Sequence, residues 1–372
     1  MKIRAAILCC HLLFALPLFA RESTDVLVIR NGDHLTGTIK ALYGGVLYFS
    51  LPYVIETISV DWTKVAHLES KQLFIVKTED GSVYNGTLSS SEVAEGRPIE
   101  IHVTEPTELP TEKTPETPTE KTVSLNSERI TDVTQTSEKF FQRFTGGLGV
   151  GSIYQKGNET FQYSISGLVA YPRERWGAQA GLSSNLSAAS GTSTSTRNQL
   201  TFEGFHLLPK ENWFYGGFDG FLQSAEQGIA RQNTLGGGIG RYLINNNHSI
   251  VSILGGVAWQ STNYTPTVSA VSTQNLTTAL IDGNVKLFRF NKTNLDFNAI
   301  LLPAFSDPGR IYVSTTASYY IKITGNLSWN LTFYGNWDNK PPANLPGSDY
   351  GTTSGLSWTF GSSLRTSPTN IQ

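Results

Sequence analysis

The residues equipped for chemistry are few and scattered along the chain. Both cysteines, Cys9 and Cys10, precede Ala20. A chain processed after Ala20 therefore has no disulfide, thiolate metal site or cysteine nucleophile. His34 and His67 lack ligand-spaced companions, and no H-E-x-x-H, C-x-x-C or calcium-loop spacing follows residue 20. A barrel hydrolase needs a serine beside a histidine, and the carboxy-terminal two-thirds offers only His206 and His248. His248 falls in a short polar turn, and His206 shares its alternating face with Phe202 and Leu208, which suits an interfacial side chain better than a general base. Glu203, Asp219, Asp282 and Asp296 fall on separate segments and assemble no acid/base pair from sequence alone. The glycine runs Thr145–Ser152 and Leu235–Gly240 lack the full G-x-G-x-x-G spacing and a following helix. The expectation is a protein that is not an enzyme and has no catalytic residue, cofactor or metal.

The chemistry that remains is charge set into alternating segments. Glu203, Asp219, Arg241, Asp282, Lys286, Asp296 and Lys322 are candidates to line a lumen. The elements that must hold them are strands: from Phe144 onward about twelve segments of roughly ten residues alternate two faces, the signature of membrane-spanning β-strands. In Phe161–Tyr171, Phe161, Tyr163, Ile165, Val169 and Tyr171 oppose Gln162, Ser164 and Ser166. In Leu327–Trp337, Leu327, Trp329, Leu331, Phe333 and Trp337 oppose Ser328, Asn330, Thr332 and Asn336. The lipid-facing or girdle candidates are Phe161, Tyr163, Tyr171, Trp329, Phe333, Trp337, Trp358 and Phe360. A soluble sandwich also alternates, so loop lengths help to choose. Short connections at 172–175, 209–212, 245–247, 291–292 and 324–325 alternate with connections that tend to be longer, such as 188–196, 261–273 and 337–349. That asymmetry is the one expected of short periplasmic turns and long extracellular loops.

Lys2 and Arg4 precede an apolar run, Ala5 to Phe19, with Ala20 ahead of Arg21. This reads as a secretory signal over residues 1–20, too short to span a bilayer, with a lipoprotein as the alternative. Residues 21–137 form an internal repeat. Val26–Ile39 aligns with Leu73–Leu88, each a strand, a polar turn (Asn31-Gly32-Asp33 and Glu79-Asp80-Gly81) and a strand carrying Gly-Thr. Ile58–Glu69 aligns with Val123–Thr134. The second copy is longer by a Pro/Thr/Glu-rich tract at 104–122, which cannot bury apolar surface and reads as an insert rather than an interdomain linker. Paired short strands of this kind suit a small SH3-like or Sm-like module, in which Tyr43, Tyr53 and Trp62 pack or recognise a partner. Residues 138–143 read as a linker, 144–361 as the barrel and 362–372 as a polar tail.

The fold expected is therefore all-β: an antiparallel transmembrane barrel of about twelve strands with a small β module before it. The formal net charge of -2 makes nucleic acid an unsuitable partner. Asn31–Thr38 (N-G-D-x-L-x-G-T), Val60–Val65 (V-D-W-x-K-V) and the Gly/aromatic barrel together resemble the domain-of-unknown-function 481 family, often labelled salt-induced outer membrane proteins. The resemblance implies an outer-membrane location, and it carries no catalytic residues. Its partners would be outer-membrane lipid, the barrel-assembly machinery and a periplasmic protein or the cell wall, with the amino-terminal module in the periplasm. Two functions stay open: a passive narrow channel or envelope-adaptation component, and a barrel that anchors a binding or structural module. A soluble closed barrel is the third reading.

Overall fold

The computed structural model describes residues 24–360, apart from 55–56, 92–99, 105–121, 137–139, 156–159, 189–193, 210–211, 266–272, 290–292, 325–326 and 343–344. The segment read as a secretory signal, the body of the Pro/Thr/Glu tract and the polar tail lie outside the described residues. No described helix is long and apolar enough to cross a membrane.

The first nine strands are β1 (Asp25–Ile29), β2 (His34–Tyr43), β3 (Val46–Ser50), β4 (Thr57–Asp61), β5 (Val65–Thr78), β6 (Val83–Ser90), β7 (Glu100–Thr104), β8 (Thr122–Asn126) and β9 (Ile130–Gln135). They make one sheet in the order β4-β3-β2-β1-β5-β6-β7-β8, with β9 paired to both β2 and β5. The sequence repeat is a structural one. In each copy a polar turn closes on a glycine at positive φ, Gly32 at 92° and Gly81 at 82°. The backbone bonds match, Ile29 N to Asp33 O in one and Thr78 N to Ser82 O in the other. Each copy also carries one turn of 3-10 helix whose N-cap side chain accepts from the amide two residues on: Asp61 before Trp62–Lys64, and Asn126 before Ser127–Arg129. Thr104 at the end of β7 pairs with Thr122 at the start of β8. These two threonines flank the Pro/Thr/Glu tract. The alternate inward positions, among them Leu27, Ile39, Leu47, Phe49, Leu68, Phe74 and Val103, close a core to which each large side chain contributes about 1.5–3 kcal/mol. Trp62 is buried and donates its indole N–H to Ser127 O, joining the two copies.

A 3-10 segment (Phe140–Arg143) leads into twelve strands: β10 (Thr145–Gln155), β11 (Thr160–Pro172), β12 (Trp176–Ala188), β13 (Ser195–Leu207), β14 (Trp213–Ser224), β15 (Ile229–Asn245), β16 (Ser249–Tyr264), β17 (Thr273–Arg289), β18 (Thr293–Pro303), β19 (Ile311–Thr324), β20 (Leu327–Asp338) and β21 (Ser348–Phe360). Each pairs antiparallel with the next, and β10 pairs with β21, so the barrel closes and leaves no free edge. The connections after β11, β13, β15, β17 and β19 are the short set foreseen from the sequence. They lie at the end where the barrel both begins and finishes.

Candidate functional site

Alternation sorts the barrel side chains. Leu148, Val150, Ile165, Leu182, Leu235, Ile253, Val257, Leu295 and Phe297 stand exposed on the outside. So do Phe161, Phe333, Trp337 and Trp358 of the girdle set. Tyr163, Tyr171 and Trp329 share that outward side, half-buried among neighbours; Trp329 donates to Ser354 Oγ, and Tyr171 packs on Phe140, Phe144 and Trp176. Phe360 ends β21 opposite Gly146, and its side chain lies outside the described residues. His206 is outward too, stacked on Tyr215.

Of the lumen candidates, Glu203, Asp282, Lys286 and Asp296 do face inward. Glu203 accepts from Gln179 Nε2 at 3.0 Å. Asp282 accepts from Asn298 Nδ2 at 2.7 Å. Lys286 and Asp296 pair at 3.6 Å. Lys322 also points inward, at the rim of the short-turn end. Asp219 and Arg241 do not. Asp219 lies between Phe202 and Leu235, both outward, and is exposed. Arg241 is outward, with its guanidinium 5.5 Å from the Trp213 ring. Both errors come from β14 and β15, where apolar side chains occupy the two faces alike and Gly236, Gly238 and Gly240 remove the contrast that would tell them apart.

The interior is not uniformly polar either. Leu207, Phe214, Phe218, Leu254, Ala258, Leu280, Ile300, Leu302 and Tyr312 fill one side of the lumen as a packed core, and Val83 of the module rests against it. The opposite wall, β10 to β12 with β20, β21 and parts of β13, β18 and β19, carries mainly small hydroxyl and amide side chains. Along it lie three adjoining cavities. The first, of about 250 Å³, sits at the short-turn end and includes Tyr43 of the module, Lys286, Asp296, Asn298 and Tyr320. The second, of about 110 Å³, shares Ser183, Gln199 and Tyr320 with the first. The third, of about 230 Å³, shares Asn185, Arg197 and Tyr334 with the second.

Arg197 forms a crosspiece where the second and third cavities meet. From β13 its Nη1 reaches Asp349 Oδ2 on β21 at 2.6 Å, and both side chains are buried. Ser224 Oγ donates to the same carboxylate oxygen at 3.0 Å. The guanidinium lies 4.9 Å from the Tyr334 ring. In the orientation that matches both ends of its amide, Asn336 accepts from Arg197 Nη2 at 2.6 Å and donates to Ser314 Oγ at 2.8 Å. Arg197 was not singled out from the sequence. The signal was its place on the polar face of β13, in register with Gln199, Thr201 and Glu203.

The module closes the short-turn end. Its β2–β3 hairpin turns on Gly44 and Gly45, at φ 56° and 73°, the two positive-φ positions of a type I′ turn. The tip enters the barrel mouth, where the Tyr43 ring meets Phe288 edge-on at 4.8 Å. A Cβ on Gly44 would stand 2.8 Å from the Phe288 ring, so only glycine allows this approach. Around the rim Asn212 Nδ2 donates to Glu79 O, Asn247 Nδ2 to Ile130 O and Lys322 Nζ to Ser59 Oγ. Lys322 also lies 5.3 Å from the Tyr48 ring, whose hydroxyl burial pushes above its usual range. Of the three aromatics weighed for recognition, Tyr43 and Trp62 pack, and Tyr53 remains 72% exposed.

Residues 148–360, more than half of the chain, match the family described as "Protein of unknown function, DUF481". The chain belongs to the DUF481 family. No curated protein is detectably similar to it. Several solved structures are similar at low level. A "Bacterial polysaccharide outer membrane secretin" is 10% identical with a TM-score of 0.30, covering 59% of this chain and 97% of its own. A "porin refined at 1.8 Ångstroms resolution" is 11% identical with a TM-score of 0.27, covering 90% of this chain and 98% of its own. The matched DUF481 segment coincides with the closed barrel, and the module that stops its mouth lies outside the match.

Proposed function

We propose that this DUF481 protein is an outer-membrane barrel through which small polar solutes pass along one side of the lumen, with the amino-terminal module as its periplasmic closure. The outward aliphatic rows suit hydrocarbon. Aromatics and Arg241 near the short-turn end suit a headgroup boundary, where a cation stacked on an indole keeps its charge wet. Short turns and both barrel ends on one side favour a periplasmic placement for that side and for the module bound to it. Outer-membrane lipid and the assembly machinery that inserts such barrels are the partners this reading implies.

The observation that carries the proposal is the run of adjoining cavities, each carrying hydroxyl and amide side chains on its wall, from Glu226 and Asp349 at one end to Tyr43 and Lys286 at the other. Such a wall replaces the hydration of a small solute step by step, and the Arg197–Asp349 crosspiece lies across its course. Planar-bilayer recording on the full chain tests it. Wild type should show small, brief conductance steps, and Tyr43→Ala, which removes the ring from the mouth, should lengthen them. Absence of any step in both proteins would overturn the proposal.

A further inference from the structure

The cavity beneath the module has a composition that selects a ligand class. The charged groups among its described lining residues are Lys286 and Asp296, and they are bonded to each other. An entering ion would therefore lose hydration and meet no uncompensated charge, a combination that disfavours it. What the wall offers instead, between leucine side chains, is hydroxyl and carboxamide groups, from Ser183, Thr201, Thr316, Ser357 and Gln199 among others. These both donate and accept, as the hydroxyls of a polyol do, so either orientation of each ligand hydroxyl finds a partner. At the mouth the Tyr43 and Phe288 rings supply flat apolar faces of the kind that pack against the C–H surface of a sugar ring. The volume, about 250 Å³, lies just under the range of roughly 300–1,000 Å³ common for drug-sized ligands, which limits the occupant to a single ring or a short linear polyol.

We infer that this cavity is a binding site for a small, uncharged, polyhydroxylated solute, held between the hydroxyl-rich barrel wall and the Tyr43 ring of the module. The inference rests on the proposed polar path and names the class of solute that pauses in it. Binding needs no chemical step. The solute exchanges its hydration for bonds to the wall, and the ring of Tyr43 covers it.

Calorimetric titration of the refolded full chain in detergent tests the site, with D-glucose and myo-inositol as neutral probes and inorganic phosphate and glutamate as ionic ones. Saturable binding of a neutral probe, with none of the ionic probes, is expected. The Ser183→Leu/Gln199→Leu variant, which turns hydroxyl and amide wall into aliphatic wall, should bind about ten-fold more weakly or worse, as the loss of one or two hydrogen bonds implies. Tyr43→Ala should weaken binding as well, and retained heat-modifiable gel mobility shows that each variant still has its barrel. Binding of phosphate or glutamate in place of the sugars would overturn the inference, as would equal sugar affinity in wild type and both variants. Conductance without any sugar binding would overturn the site and leave the path standing. Sugar binding without conductance would uphold the site and remove the path.

Discussion

Arg197 and Asp349 sit on opposite sides of the polar wall, and their pairing is legible only once the barrel is closed: the residues are 152 positions apart in sequence. Removing one partner leaves the other buried and uncompensated, so Arg197→Ala should cost about 3–5 kcal/mol, measured by urea unfolding of the protein in vesicles. An Arg197→Met/Asp349→Leu pair should recover most of that loss. Asp219 makes the opposite case. It is a carboxylate on the outward face between Phe202 and Leu235, and Asp219→Leu should stabilise the vesicle-inserted protein by about 1 kcal/mol or more. A loss of stability in that variant would show that Asp219 is not facing lipid. In the module, burial alone would raise the Asp80 carboxyl. The Thr78 hydroxyl, the Ser82 amide and hydroxyl, and Arg129 outweigh it and hold the group below the ordinary carboxylate range. Its contribution is therefore present above the ordinary carboxylate pKa and is lost as the pH falls through the lower folded value. Asp80→Asn should flatten that part of the stability–pH curve and leave the neutral range unchanged in shape. Residues whose neighbours contrast sharply were placed from sequence alone: Glu203 and Lys286 alternate with apolar partners. Asp219 and Arg241 were not, because a strand with aromatics on both sides, such as Trp213-Phe214-Tyr215, gives no sign of which face is which.

The strands and turns were largely readable. A hairpin turn needs residues that tolerate positive φ, and Asn31-Gly32-Asp33 and Glu79-Asp80-Gly81 announced themselves as such. The Gly-Thr step in each repeat has its reason in packing. A Cβ on Gly86 would stand inside contact distance of the Thr104 carbonyl, and one on Gly37 would meet the Ser50 carbonyl in the same way. Gly86→Val should pry β6 from β7, so that hydrogen exchange at the amides of Val103 and Leu88 speeds while the amides of β15 and β16 keep their protection. Uniform protection across the module would contradict this account of the glycine. The packed side of the lumen was not foreseen. Leu207, Phe214 and Phe218 have apolar neighbours in sequence, and periodicity cannot say whether such residues meet lipid or the barrel interior.

In the whole molecule the module packs against the barrel mouth, and this was the least legible part. The barrel side chains that join them, among them Asn212 and Asn247 in turns and Phe288 and Lys322 near strand ends, are each unremarkable in their own segments. Asn212 is the one described non-glycine residue at positive φ, at 60°, and its amide is thereby aimed at the Glu79 carbonyl. The closure itself should be separable from the barrel: Lys322→Ala and Asn247→Ala together should leave heat-modifiable mobility intact and increase protease cleavage between residues 136 and 145. The central claim concerns what bathes the barrel. Spin labels at Val150, Val257 and Phe333, read in lipid vesicles for collision with oxygen and with a water-soluble nickel chelate, test it most directly, with labels at Ser183 and Thr316 as inward references. The account predicts frequent oxygen and rare chelate collisions at the three outward sites and the reverse inside. Chelate collisions at Val150, Val257 and Phe333 matching those of a water-exposed loop would contradict it.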